Sequence, residues 1–365
     1  MKISVSQKLL SKALMSVSRV TSSRLNLPVL SNILFRATDQ GLVLEASNLE
    51  TSMIYELGCK TEIPGDILVQ AKLITDIISN VKSDKLQLVA SQGVLEIVSD
   101  GFDSRVNLAN PEDFVTISFD RNIKPLKFNS KELLEGFQKT SFAASIDQNH
   151  PSLSSVYLYK KADNIVLVST DSYRLSEYKI DFEGQLDNGI LLPINSIVEL
   201  MRIISQSEAE EVQLFCDGKQ ALFVIDEISF ITRLIEGNFP DYQMIIPKEL
   251  SNQVSLNRQE LIDAVKMADV FSRENSHIIT LLFRAGKLTI NSSDTQYGHN
   301  STDIKINYQG EEINISLNAS YLLPSIKALD SEEIQVNVVS QNDPVVINAS
   351  PIDPRQLQLI MPLRS

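Results

Sequence analysis

One phrase of this sequence is spelled three times at a fixed step. Leu42-Val-Leu-Glu-Ala-Ser-Asn48, Ile165-Val-Leu-Val-Ser-Thr-Asp171 and Leu288-Thr-Ile-Asn-Ser-Ser-Asp294 end on residues 123 positions apart. A second set of segments, beginning at Ile67, Ile190 and Ile313, keeps the same step. A third marker opens each unit, as Ile3-Ser-Val-Ser, Leu126-Lys-Phe-Asn-Ser and Val254-Ser-Leu-Asn. Coinciding markers across 365 residues mean a triplicated domain. The step is too long for a solenoid repeat and long enough for a unit with its own core. The expected domains are 1–123, 124–250 and 251–365, joined at Asn122-Ile-Lys-Pro125 and Pro247-Lys-Glu-Leu-Ser-Asn252. Both joins are short and polar, which predicts domains that abut rather than swing.

Each unit begins with a strand of period two and continues into an amphipathic helix. Ser6 is placed to cap the first helix, in which Leu9, Leu10, Ala13, Leu14 and Val17 form an apolar stripe. Lys8, Lys12 and Arg19 share the opposite face. The second unit repeats the plan with Leu133, Leu134 and Phe137 inward and Lys131 and Lys139 outward. In the third, Leu261, Ile262 and Val265 point inward and Arg258, Lys266 and Arg273 outward. A second strand-helix pair follows in each unit, with helices predicted over 71–81, 195–204 and 319–329, and a hairpin closes the unit. Two helices and about eight short antiparallel strands per unit make an α+β domain.

The chemistry-bearing residues are sparse. Three histidines, His150, His277 and His299, have no metal-ligand spacing, and Cys59 and Cys216, in separate apolar runs, read as reduced core thiols, with a disulfide between neighbouring domains as the alternative. There is no nucleophile elbow, and Ala285-Gly-Lys287 lacks the first glycine of a phosphate-binding loop. The expectation is a non-catalytic protein without metal or cofactor. The N-terminus lacks the apolar stretch of a signal peptide and no run approaches a membrane span, which reads as cytoplasmic with no membrane partner. A net charge of −13 taken alone argues against nucleic acid, but says nothing about where the charges lie.

Four segments narrow the reading. Thr170-Asp-Ser-Tyr-Arg-Leu175, Glu236-Gly-Asn-Phe-Pro-Asp-Tyr242, Met361-Pro-Leu-Arg364 and Leu27-Pro-Val-Leu-Ser-Asn32 resemble, in collinear order across the whole chain, signatures of the bacterial DNA polymerase III β subunit, the sliding-clamp family. The resemblance implies a homodimer, two chains of three clamp domains closing head to tail into a six-domain ring. Such a ring encircles double-stranded DNA without sequence specificity and gives a polymerase its processivity. Twelve helices at ~9 Å spacing make a circle ~35 Å across, and removing a helix radius of ~5 Å on each side leaves a hole of ~25 Å. Basic helix faces would then line the hole while the acidic excess faces out. The implied DNA-facing residues are Lys8, Lys12, Lys131, Lys139, Arg258, Lys266 and Arg273, together with Arg24 and His150 at positions matching the family's DNA-contacting segments.

The resemblance also implies a groove between the second and third domains. It takes short peptide motifs from the replicative polymerase α subunit, the clamp loader, repair polymerases and mismatch-repair proteins. Leu153, Leu175, Pro240, Ile245, Val345, Met361 and Pro362 would be its soft walls, with Arg174 fixing polar groups of the peptide. Thr170, Ser172, Tyr173, Met244, Pro344, Leu359, Leu363 and Arg364 complete the matching segments. Ser172-Tyr173 departs from the family's usual Gly-His or Ser-His, Met244 from a frequent Arg, and His150-Pro151 from Arg-Pro. Val106 and Leu108 would meet Val270 and Phe271 at the dimer seam. A diverged clamp paralogue, a peptide-binding scaffold that never encloses DNA, and an enzyme with a hidden interdomain site remain the alternative readings.

Overall fold

The computed structural model describes residues 1–21, 27–147, 149–248, 252–294 and 298–363. Among them are six α-helices: α1 Gln7–Val17, α2 Ala71–Asn80, α3 Ser130–Thr140, α4 Ile194–Gln206, α5 Arg258–Val270 and α6 Ala319–Lys327. The second helix of each unit thus begins within one residue of its predicted start and ends within two of its predicted end. Side-chain oxygens cap α2, α5 and α6. Gln70 accepts from the Leu73 N–H, Asn257 from Gln259 and Glu260, and Asn318 from Ser320. The side chain of Ser6 makes no such cap. The Gln7 N–H instead donates to the Asp84 carbonyl at 3.1 Å, so the start of α1 is held by a neighbouring turn.

The chain folds into two compact units, Met1–Ser130 with Arg202–Leu234, and Lys131–Met201 with Ile235–Ser365. The cut passes through the second repeat, because strand pairing runs across repeat boundaries. In the first unit an eight-stranded antiparallel sheet has the order 126–129, 211–216, 220–225, 228–233, 51–57, 41–47, 32–38, 65–70. Strand 228–233 of the second repeat thus pairs with strand 51–57 of the first, Ser229 opposite Ile54 and Ile231 opposite Ser52. A five-stranded sheet, ordered 60–63, 2–6, 85–91, 94–99, 102–107, completes this unit.

The second unit repeats the arrangement. Its eight-stranded sheet runs 190–193, 155–161, 164–170, 174–181, 356–360, 345–350, 333–338, 252–257. Here strand 174–181 pairs with strand 356–360 of the third repeat, Leu175 opposite Leu359. A four-stranded sheet, ordered 298–305, 287–294, 278–284, 313–318, accompanies it.

Alternation along each strand divides the side chains between two faces. In the third repeat one face joins α5 and α6 in a core that includes Val265, Leu281, Leu322, Val345 and Ile347. The opposite faces of the two long sheets are also apolar, and the connectors between repeats cover them. In the first unit Ile117 and Phe119 pack on Phe215, Leu222 and Ile231, and Arg121 donates to Ser229 Oγ at 2.9 Å. In the second, Phe239, Tyr242 and Ile246 lie on Val168, Leu175, Val346 and Leu359. The polar joins expected at 122–125 and 247–252 are the ends of these longer connectors, and residues 249–251 lie outside the described residues. Each connector is a strap with apolar anchors, which the sheet face beneath it requires.

Candidate functional site

The basic helix faces are partly as expected. On α1, Leu10, Ala13, Leu14 and Val17 are buried while Lys8 and Lys12 are exposed. Leu9, expected inward, is 51% exposed on the basic side. The helical turn carries it about 100° away from Leu10 and off the apolar stripe. Lys131, Lys266, Arg273 and His150 are exposed and Arg258 is half-buried. Lys266 and Arg273 lie 3.6 and 3.8 Å from Asp263 and Asp269, loose surface pairs of little energetic weight. Arg24 lies outside the described residues.

Lys139 departs from its expected place. It is 7% exposed, with its ammonium donating to the Ala328 carbonyl and to the Asp330 carboxylate. The residues just after α6 reach this lysine, a contact that helical periodicity on α3 does not contain. Lys139 ties the second repeat to the third and presents no free charge to solvent.

The residues expected to form a groove are built around a turn. Strand 164–170 reverses into 174–181 through Asp171, Ser172 and Tyr173, with Ser172 at φ 75°. Asp171 Oδ1 accepts from the Tyr173 and Arg174 N–H groups at 3.0 Å each, and Thr170 Oγ1 donates to the Arg174 carbonyl at 2.7 Å. The other Asp171 oxygen accepts from Arg174 Nε at 3.1 Å. This arrangement aims the guanidinium over the rings of Tyr321 and Phe142, at 5.0 and 5.7 Å. Tyr173, 53% exposed, stacks on Tyr321 with ring centroids 5.7 Å apart. Burial and, next, the Asp171 charge raise the Tyr321 pKa, so this phenol stays neutral across the physiological range.

The C-terminal segment joins the turn from the other side. Beyond strand 356–360, the Met361 N–H donates to the Tyr173 carbonyl and the Leu363 N–H to the Ser316 carbonyl, both at 2.8 Å. Met361 packs with Leu175 and Leu359, which are 1% and 0% exposed and form a closed apolar floor. Pro362 and Leu363 are half-buried, and Arg364 lies outside the described residues. Above the same floor, Tyr242 begins a 3-10 turn, Tyr242–Ile245, on which Met244 is 81% and Ile245 41% exposed. Pro240 is exposed two residues before it. Leu153 is half-buried in the turn after His150, whose carbonyl accepts its N–H at 2.9 Å, and Pro344 is half-buried before strand 345–350.

Val345 is not a groove wall. It is 1% exposed and belongs to the core beside the helices, whereas its neighbour Val346 meets Leu359 on the opposite face of the sheet. A shift of one residue along a strand exchanges the faces. The sequence reading also lacked Tyr321 and Phe142, which reach Arg174 from distant segments that no local pattern links. Asp171 and Phe239 were within reach, since both lie inside the quoted signatures.

At the expected seam, Val106 is buried within strand 102–107, a sheet edge, and Leu108 is half-buried just after it. Val270, the last residue of α5, is 54% exposed, and Phe271 is half-buried as its C-cap. Among the described residues no three His, Cys, Asp or Glu side chains gather as a metal site would require, and no helix is long and apolar enough to cross a membrane.

Comparison with known proteins covers the chain from end to end. Residues 1–118 match the N-terminal domain of the DNA polymerase III beta subunit, 127–241 its central domain and 243–364 its C-terminal domain. A beta sliding clamp of Chlamydia muridarum is 28% identical over 371 residues, covering 100% of this chain and 99% of the relative. The Bacillus subtilis beta sliding clamp is 26% identical over 379 residues, with 100% of both chains covered. The crystal structure of the DNA polymerase III beta chain from Streptococcus pneumoniae superposes with a TM-score of 0.95 at 26% identity, again covering 100% of each. Repeat, fold and signatures agree with these matches, and the chain belongs to the DNA polymerase III beta subunit family.

Proposed function

We propose that this protein is a sliding clamp, a non-catalytic processivity factor that closes around duplex DNA as a homodimer and tethers replication and repair proteins by their peptides. Its three domains are 1–123, 124–250 and 251–365, and it works beside the chromosome in the cytoplasm. The observation that carries the reading is a missing partner. Strands 228–233 and 356–360 each end a repeat, and each pairs with the strand that follows a repeat's Asn or Asp turn, 51–57 and 174–181. Their counterparts in the remaining repeats are 102–107 and 298–305, and both are sheet edges. Long unpaired edges are ready to receive another strand. Along both of them burial alternates, with Phe102, Ser104 and Val106 set inward on one and Asn300, Thr302 and Ile304 on the other. Pairing 102–107 of one copy with 298–305 of a second continues both rows and repeats head to tail.

Size favours two chains over one. Six helices at ~9 Å spacing would close around a hole of only ~7 Å, whereas twelve leave ~25 Å, room for a hydrated duplex. The lining needs only diffuse attraction to phosphates, since tight pairing would stop sliding. Solution mass should be twice the 40.7 kDa of one chain, and the protein should stay on closed circular DNA and leave once the circle is cut. A single-chain mass, or equal loss from both DNA forms, defeats the clamp. Lys8→Glu with Lys12→Glu should shorten retention severalfold and flatten its salt dependence by about one unit of slope per lost phosphate contact. Lys139→Met should leave retention unchanged while lowering stability by about 1 kcal/mol, for the lost hydrogen bonds.

The apolar floor of Leu175 and Leu359, with Tyr173, Met244, Ile245 and Met361 around it, supports the peptide groove of the same reading. Its partners are then the replicative polymerase α subunit, the clamp loader, repair polymerases and mismatch-repair proteins.

A further inference from the structure

Beside the groove, a carboxylate is buried under the second connector. Glu177 is 7% exposed and sits two residues beyond Leu175, on the same face of the strand. Tyr242, 5% exposed, donates its hydroxyl hydrogen bond to Glu177 Oε2 and lies 2.7 Å from the hydroxyl of Tyr159. Gln243 Nε2 in turn donates to Tyr159 Oη at 3.4 Å, and Lys179 Nζ stands 3.4 Å from the other Glu177 oxygen. Burial first, and then the Glu177 charge, raise the Tyr242 pKa, so the phenol keeps the proton it donates. The rings add directional contacts. Phe239 stacks on Tyr157 at 5.1 Å, Tyr157 on Tyr159 at 4.9 Å, and Tyr242 meets Phe239 edge-on at 6.1 Å.

Packing alone does not call for an acid here. A buried carboxylate is costly, and an apolar side chain at 177 would serve the sheet face more cheaply. What the side chain supplies is a directional acceptor at one point of a segment that has no strand of its own. Tyr242 is also the first residue of the 3-10 turn that carries Met244 and Ile245, and it shares an apolar cluster with Leu175, Leu359 and Met361. We infer that Glu177 and Tyr242 are positioning residues of the peptide groove: their hydrogen bond clips the connector to the sheet so that Met244 and Ile245 stand preformed above the floor. Preorganisation of this kind raises affinity by lowering the ordering cost of binding.

The inference rests on the peptide-groove reading, and one set of measurements separates the two. The probe is a fluorescent peptide carrying the clamp-binding segment of the replicative polymerase from the same cell, titrated into the full-length dimer. Tyr242→Phe keeps the ring and loses the hydroxyl. It should weaken binding about 5- to 10-fold and speed amide exchange at 240–246, with dimer mass and retention on closed circles unchanged. Glu177→Gln keeps an acceptor and should bind within about twofold of the parent, whereas Glu177→Leu should match Tyr242→Phe. The double variant Tyr242→Phe, Glu177→Leu should be no weaker than either single one, as expected for one shared interaction. Unchanged binding by Tyr242→Phe, or Glu177→Gln as weak as Glu177→Leu, overturns the inference while the groove stands. A parent protein that ignores the peptide overturns the groove and the inference together.

Discussion

A chain ending at Ile360 should fold and dimerise but lose its peptide partners. The cut removes Met361, which packs against Leu175 and Leu359, and both backbone hydrogen bonds that hold the last segment to Tyr173 and Ser316. Strand 356–360 keeps its pairing on both sides, so the sheet survives. Loss of a central apolar anchor typically costs about 2 kcal/mol or more, which is a fall in affinity of roughly 30-fold. Anisotropy of the labelled polymerase peptide measures it directly. Affinity within threefold of the full chain, at an unchanged dimer mass, would remove the C-terminal segment from the groove.

The second large effect is on stability and depends on pH. Glu45, in strand 41–47, is 3% exposed beneath the first connector. Burial pushes its carboxyl up to about 7, against the smaller opposing effects of the Arg36 charge and a hydrogen bond from Thr116. An acid with a raised folded-state pKa holds its proton more tightly when folded. Its stabilising contribution is therefore whole below the ordinary value of 4.5 and is lost as the pH rises through about 7. The displacement corresponds to roughly 3 kcal/mol between acidic and mildly alkaline solution. Glu45→Gln should accordingly stabilise the protein by about 1–3 kcal/mol at pH 8, with the gain vanishing near pH 4.5. Thermal unfolding of both chains at the two pH values decides it. An equal difference at both would show that the carboxyl does not titrate with folding.

Much of the fold was legible because its signals are local. The helix over 71–80 shows its apolar period in Ile74 and Ile78, and the strand pairs alternate as half-buried strands must. What stayed hidden came from residues far apart in the chain. Lys139 reads as a surface lysine until the segment after α6 arrives to accept its hydrogen bonds. Val345 and Val346 are indistinguishable in sequence, and only the register against strand 356–360 assigns one to the core beside the helices and the other to the opposite sheet face. Tyr321 has no local mark of its role beside Arg174. The connectors read as polar where their ends are polar, while Ile117 and Phe119 answer to a sheet face of the second repeat, and Phe239 and Tyr242 to one shared by the second and third.

Those connectors divide the labour in the proposed ring. At the joint between repeats one and two, and again between two and three, a covalent strap is riveted across the strand pairing beneath it. The seam between two chains can have no such rivet, because no peptide passes from one copy to the next. There the strands are only zipped. Prising the ring apart at a seam breaks hydrogen bonds and side-chain contacts alone, whereas elsewhere it must also strip a strap with its packed aromatic rings. The hoop therefore has stiff quarters and two clasps, one at each seam, and a loader that pulls anywhere on it will find a clasp first.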